Sequence, residues 1–448
     1  MRLLIEGGRL IDPESGTDDD LDLLIEEGSL NAVGPGLRAQ LPAGSVVEPF
    51  DPAAPRPLDG IVALDARGCV VAPGFVDIHV HLRQPGFEHK ETIESGTRAA
   101  VAGGFTSVCC MANTDPVNDN GTVAEFILKE AAARGACKVY PIGAVSKKLE
   151  GRELAEIGEL AEVGCVALSD DGRPVFDSGL MRRAMEYASH FGLTIVQHCE
   201  DTGLTRGAVM HEGPVATELG LVGWPAAAEE ILVARDILLA EALRLPVHLA
   251  HLSSAGSVRL LREAKAREVP VTAEVTPHHL MLTDEAVRGY DTNAKMNPPL
   301  RSAEDRSALR AALAEGVIEA VATDHAPHAE AEKEVEFDQA AIGVVGLETA
   351  LPLVLRLVEE GLMGLPEAVE RLTLGPARCL GLPAGTLSVG SAADVVVFNP
   401  EEAWTVEPER FYSRGRNTPF AGWEVRGRVV ATIVDGRVVY TAEGGVVL

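Results

Sequence analysis

Two histidines two residues apart, His79 and His81, end a run of strand-forming residues that begins at Pro73, and Arg83 follows in the same register. Side chains alternate along a strand, so both imidazoles emerge on one face. They make half of a metal site, and the arginine adds a fixed cation beside it. Alone, the pair reads equally as two histidines of a core or a surface. Other apolar runs end in the same way: Asn113-Thr114, Ser169-Asp170-Asp171, His198-Cys199-Glu200-Asp201, His251, Thr276-Pro277-His278-His279 and Asp324-His325. Imidazole with carboxylate suits zinc, with other divalent transition metals as competitors. A closed structural zinc takes four ligands. His79, His81, His198, His251, Asp171 and Asp324 offer more, which implies two metals, or one metal plus catalytic groups.

The elements that must position these residues alternate between short apolar strands and helical segments. Strands are predicted over residues 76–81, 107–111, 139–144, 166–169, 194–198, 247–251, 272–276 and 320–324. Amphipathic helices are predicted over 122–133, 180–191, 226–243 and 304–314. Eight such repeats predict a closed parallel (β/α)8 barrel whose site lies at the carboxyl ends of the strands. The alternative, a doubly wound open sheet, lacks its glycine-rich turn after the first strand. Residues 1–72 and the tail from about 383 share a different texture of short strands and turns. They are expected to form one composite β-sandwich domain (1–72 plus 383–448) into which the barrel (73–382) is inserted. Residues 41–60, with Pro at 42, 49, 52, 55 and 57, read as an exposed loop.

Composition narrows the partners. The 448 residues carry a formal charge of −28, which argues against nucleic acid and against an anionic membrane surface. A small anionic substrate remains compatible, because remote charges are screened over about 8 Å at physiological salt. The seven cysteines are odd in number and include no C-x-x-C pair, as expected of reduced thiols in a cytoplasmic protein. No uncharged apolar run approaches the roughly 20 residues that span a bilayer, and no secretory signal pattern opens the sequence.

The motifs are dense enough to carry a resemblance. Pro-Gly-Phe-Val-Asp-Ile-His-Val-His-Leu-Arg (73–83), Gly-Phe-Glu-His-Lys-Glu-Thr (86–92), Ser-Asp-Asp-Gly (169–172), His-Cys-Glu-Asp (198–201), Asn-Pro-Pro-Leu-Arg (297–301), Ala-Thr-Asp-His-Ala-Pro-His (322–328), Gly-Leu-Glu-Thr (346–349) and Arg-Asn-Thr-Pro (416–419) span nearly the whole chain. The sequence resembles the amidohydrolase superfamily and, within it, the type I dihydroorotases. Two departures are visible: the Pro-rich 41–60 stretch is long for that family, and Ala112 stands where proline is usual, which bears on the placement of Asn113.

The resemblance implies reversible hydrolysis of dihydroorotate to N-carbamoyl-L-aspartate in pyrimidine synthesis, by attack of a metal-bound hydroxide. It implies two zinc ions per chain. His79, His81 and Asp324 would hold one and His198 and His251 the other, with Asp171, rather than its neighbour Asp170, and the hydroxide bridging them. Asp324 would also be the general base and acid. His81, Arg83, Asn113, Asn297 and His328 would hold the substrate, with the backbone of Ile342 and Gly343 closing over it. A homodimer, and association with aspartate transcarbamoylase, are further implications. The rival readings are a hydantoinase or allantoinase, which usually carries a lysine at the position of Asp171 and lacks the Arg83–Asn113 grip, and a non-catalytic scaffold, which usually loses metal histidines. His278 and His279 read as either neighbours of the site or packing, and His89, His190, His211 and His248 as surface or core. The acidic 330–338 run reads as a solvated loop.

Overall fold

The computed structural model describes residues 2–42, 45–51 and 60–447. Eight parallel strands, Phe75–Val80, Phe105–Cys110, Lys138–Gly143, Ala167–Leu168, Thr194–Gln197, Val247–Leu249, Val271–Val275 and Ala320–Val321, lie side by side in chain order. A parallel bridge between Val80 and His325 and a 2.9 Å bond from the His81 amide to the His325 carbonyl join the last strand to the first. The sheet is thereby closed into a barrel, as expected. Successive residues of one strand belong to different cores: Val108 packs outward among helix residues such as Leu180, Val233 and Leu261, while Cys109 joins Ile78, Ile142, Val196 and Ala250. Burial on both faces is why these strands carry apolar residues on both sides.

The helices between the strands start where side chains cap their free amides. Asn120 caps Gly121–Arg134, Asp177 caps Ser178–Ser189, and Ser302 with Asp305 forms a capping box for Ala303–Ala314. Strands four and eight are shorter than predicted, and His198, His251 and Asp324 lie just past the paired residues. At Arg83, His251 and Asp324 the backbone takes φ values of 63°, 32° and 48°, which turn the chain off the strands and into the barrel mouth. Non-glycine residues rarely adopt this region, and it is concentrated at functional sites.

Both chain ends build a second, mixed sheet of ten strands among the described residues. Arg2–Asp12 is its branch point, pairing through residues 2–6 with Ile61–Asp65 and through residues 9–10 with Val70–Pro73. A register shift between Ile5 and Gly8 makes the branch, and a Cβ on Gly8 would sit 2.6 Å from Val71. Val70–Pro73 then pairs antiparallel with Val395–Thr405 from the far end of the sequence. Leu3, Ile5, Leu23, Val62, Val397 and Ile433 are among the residues filling this sandwich.

One expectation is corrected. Within the stretch read as a loop, Val47–Pro49 forms a strand on Ile61–Asp65, and proline is tolerated there because, among the described residues, the strand pairs on one side only. Residues 52–59 of that stretch lie outside the described residues. In the tail, Glu424–Val434 forms one long strand, whose Gly427 adopts φ 99° against Leu355.

The barrel seam rests on Asp77. Its fully buried carboxylate accepts the His79 amide at 3.0 Å, the Thr323 amide at 3.2 Å and the Thr323 hydroxyl at 2.6 Å. Asp77→Ala leaves those donors without an acceptor, and the expected loss is about 2–4 kcal/mol, read as a lower urea midpoint. Thr323→Val should lose less. An unchanged midpoint for Asp77→Ala would remove the aspartate from the seam.

Candidate metal centre

His79, His81, Asp171, His198, His251 and Asp324 converge at the carboxyl mouth of the barrel, each no more than 8% exposed. Asp171 is the hub, and its two oxygens divide the histidines. Oδ2 lies 3.5 Å from both His79 Nε2 and His81 Nε2, while Oδ1 lies 3.3 Å from His198 Nδ1 and 3.2 Å from His251 Nε2. Asp324 Oδ1 stands 3.0 Å from His81 Nε2 and 3.5 Å from His79 Nε2. The donor atoms of His79, His81 and Asp171, and those of Asp171, His198 and His251, form two sets, each within 4.8 Å. Asp170 turns away, accepting the Val145 and Ser146 amides at 2.9 Å.

A second layer fixes which nitrogen of each ring faces inward. A carboxylate only accepts, so His79 Nδ1 donates to Glu274 Oε1 at 2.6 Å, and His198 Nε2 donates to Glu200 Oε2 at 3.0 Å. His81 Nδ1 contacts Asn113 Oδ1 at 2.9 Å. Lone pairs on His79 Nε2, His81 Nε2 and His198 Nδ1 are thereby directed at the two aspartates. Among the described residues His79 Nε2 is buried with no hydrogen-bond partner, and the inward nitrogens of His198 and His251 face each other at 2.9 Å. Such converging lone pairs and anions fit divalent cations.

Both aspartates are held ionised. Burial works to raise Asp171 and Asp324, but the surrounding imidazoles outweigh it and hold both well below the usual carboxylate range. Glu274, likewise opposed by burial, is held down to about 2 by His79 and His248.

The expected substrate residues rim this centre. Burial lowers Arg83 to about 10, still charged at neutral pH, and its Nε donates to the Pro327 carbonyl at 3.2 Å. His328 is held down to about 3 by burial, with Arg83, Lys90 and Lys333 adding to it, so it is neutral; its Nε2 donates to the Ile342 carbonyl at 2.9 Å. Asn297 Nδ2 donates to Glu200 at 3.1 Å. Gly343 adopts φ 132°, and a Cβ there would stand 2.6 Å from Ala326.

Several residues escaped the sequence reading. Glu274 joins His79 to His248, which read as core or surface; the available signal was a lone glutamate within an otherwise apolar strand. Asn417, from the far end of the chain, donates to the Ala326 and Gly343 carbonyls and accepts the His328 amide. His279 contacts Thr276 Oγ1 and the Pro298 carbonyl, while His278 Nε2 is buried without a partner among the described residues. In the acidic 330–338 run Glu330–Lys333 is a short helix and Lys333 and Phe337 are buried, which corrects the reading of a solvated loop.

Known proteins share this arrangement of chain. The model of the amidohydrolase family matches residues 70–439. A dihydroorotase of Geobacter metallireducens is 52% identical over 440 residues, covering 98% of this chain and 100% of that protein. A dihydroorotase of Anaeromyxobacter dehalogenans is 56% identical over 440 residues, with 98% of each covered. Among solved structures, the L-hydantoinase (dihydropyrimidinase) of Arthrobacter aurescens superposes with a TM-score of 0.85 at 25% identity, over 100% of this chain and 97% of that one.

If Glu274 orients His79 toward a metal, Glu274→Gln should weaken metal binding about 10–100-fold, measured by competition with a chelator, with the fold intact by circular dichroism. Unchanged affinity would reduce Glu274 to packing.

Proposed function

The chain belongs to the amidohydrolase family, within which it acts as a dihydroorotase, and from that premise we propose how its own residues perform the ring hydrolysis. The observation that carries the reading is the division of Asp171 between two pairs of inward-facing imidazoles. His79, His81 and Asp324 would hold one zinc ion and His198 and His251 a second, with Asp171 shared. Charge supports the number: four carboxylates, Asp171, Asp324, Glu274 and Glu200, contact the imidazoles, and two divalent ions balance them. When bound, such ions supply a Lewis acid for the amide carbonyl and a water that ionises near neutral pH.

The protein supplies the rest. Arg83 pairs with the substrate carboxylate in the bidentate geometry that a guanidinium allows and a lysine does not. Asn113 and Asn297, each tied to a histidine or its carboxylate partner, orient the ring amide. The neutral His328 and the Ile342–Gly343 backbone cover the ring and exclude water. Asp324, ionised and beside His81, takes the proton of the attacking water on a carboxylate oxygen and passes it to the departing ring nitrogen. Such transfer is worth about 10²–10⁴-fold. In the reverse direction the same oxygen removes the proton from the carbamoyl nitrogen.

We place the chemistry in the 73–382 barrel, with the 1–72 and 383–448 unit reaching it through Asn417. Seven unpaired cysteines support a cytoplasmic setting. A homodimer and association with aspartate transcarbamoylase complete the proposal. Among the described residues no helix is long and apolar enough to cross a membrane.

The deciding experiment follows dihydroorotate, hydantoin and allantoin by ultraviolet absorbance with enzyme stripped by chelator and then reloaded with zinc. Zinc-restored turnover of dihydroorotate is expected, and its absence overturns the metal assignment. Arg83→Met should lower kcat/KM for dihydroorotate by about 10–100-fold, the worth of a charged hydrogen bond, while barely changing any residual rate on hydantoin. Equal losses on both would count against the carboxylate grip. Asp324→Asn should fold and keep metal yet lose about 10²–10⁴ in kcat. A variant near wild-type rate would free Asp324 from the proton role.

A further inference from the structure

Two lysines with no part in the chemistry are buried beside the mouth of the site, Lys295 at 3% and Lys333 at 5% exposure. Lys333 ends the short helix Glu330–Lys333, and its ammonium donates to three carbonyls: Thr292 at 2.9 Å, Lys295 at 3.3 Å and Ala341 at 2.8 Å. In the charged form its three protons saturate these three acceptors, although burial, with Lys295 adding to it, pulls Lys333 down to about 7. Lys295 donates to the Asp338 carbonyl at 3.0 Å and the Ala340 carbonyl at 2.8 Å, and lies 5.5 Å from the centre of the Phe337 ring. Among the described residues neither ammonium lies at ion-pair distance from a carboxylate. Asp338 acts on Lys295, and Asp291 and Glu332 act on Lys333, only at longer range, and Lys295 repels Lys333.

A buried charge without a counter-ion is costly unless every proton is placed. Methionine would fill the same volume without that cost, so the ammonium groups are there for their hydrogen bonds. What they bind is backbone on both sides: the Asp338, Ala340 and Ala341 carbonyls of residues 334–341, which form neither strand nor helix, and the Thr292 and Lys295 carbonyls opposite. The bracing leads directly to the substrate rim. The Lys295 carbonyl accepts the Gly343 amide at 3.0 Å, and Asn297 lies two residues beyond it. From the other side, Thr292 Oγ1 donates to the Lys333 carbonyl at 2.7 Å.

We propose that Lys295 and Lys333 are positioning residues that clamp residues 334–343 onto the 291–297 segment, so that the Ile342–Gly343 backbone and Asn297 stand in register before substrate arrives. The inference rests on the reading that this backbone and Asn297 receive the substrate. It makes the loop a preformed wall of the site, in place of a flap that orders around the ligand.

Hydrogen exchange read by mass spectrometry on the full-length, zinc-loaded enzyme tests it. In the wild type, amides of 334–343 should already exchange slowly without ligand, and N-carbamoyl-L-aspartate should slow them by no more than about threefold. Free exchange that is arrested only by ligand overturns the clamp. In Lys333→Met, and separately in Lys295→Met, exchange across 334–343 should accelerate about tenfold or more, and KM for dihydroorotate should rise about tenfold, with kcat within about threefold and zinc content unchanged. Wild-type exchange and KM in both variants overturns the proposal, as does a fall in kcat that tracks lost zinc. A loosened loop with an unchanged KM would leave the clamp standing and instead overturn the assignment of Ile342–Gly343 to the substrate.

Discussion

A single buried carboxylate, Asp171, is approached by four imidazoles, two on each oxygen. Bringing so many polar groups out of water is unfavourable unless each is oriented and charge-balanced, and much of the surrounding architecture answers that demand. Glu274, Glu200 and Asn113 hold the outer ring nitrogens. The left-handed backbone at His251 and Asp324 turns those side chains off their strands. Asp77, itself pushed up to about 7 by burial against the Thr323 and His79 donors, joins the last strand to the first, so that Asp324 and His79 meet. A barrel suits such a centre because ligands far apart in sequence are presented by neighbouring strand ends.

Legibility followed how local the signal was. Barrel strands buried on both faces announce themselves as apolar runs, and the polar residues ending them stand out by contrast; His79, His81, His198 and His251 were visible for that reason. The second layer was harder to read. Glu274 matters only through contact with His79, a residue 195 positions away, and Asn417 matters through His328 and Gly343. No spacing rule encodes such pairs. Lys333 was hidden by its setting, since one cation among exposed acids reads as solvated until its own burial is known. The Val47–Pro49 strand was masked by proline, whose missing donor matters only on a strand paired at both edges.

The likeness to a hydantoinase fold at 25% identity separates what the scaffold supplies from what the loops decide. The closed barrel and the composite sheet are shared as a fold, whereas the substrate contacts proposed above lie on the loops after the strands. Arg83, on the loop after the first strand, and His328, after the last, meet across the barrel closure, with 3.5 Å between Arg83 Nη2 and His328 Nε2. Substrate preference would then be set where the barrel begins and ends, at the seam that Asp77 holds.

The pairing of Val70–Pro73 with Val395–Thr405 also has a bearing on how the molecule comes into being. On the ribosome, the first of these strands emerges about 320 residues before its partner, an interval on the order of half a minute at ordinary elongation rates. For that time an apolar strand edge has no mate, and the barrel grows from it two residues further on. The sheet that starts first is finished last. A nascent chain must therefore build its enzyme core while the platform beneath it is half complete, and a chain cut short after the barrel would keep an open, apolar edge.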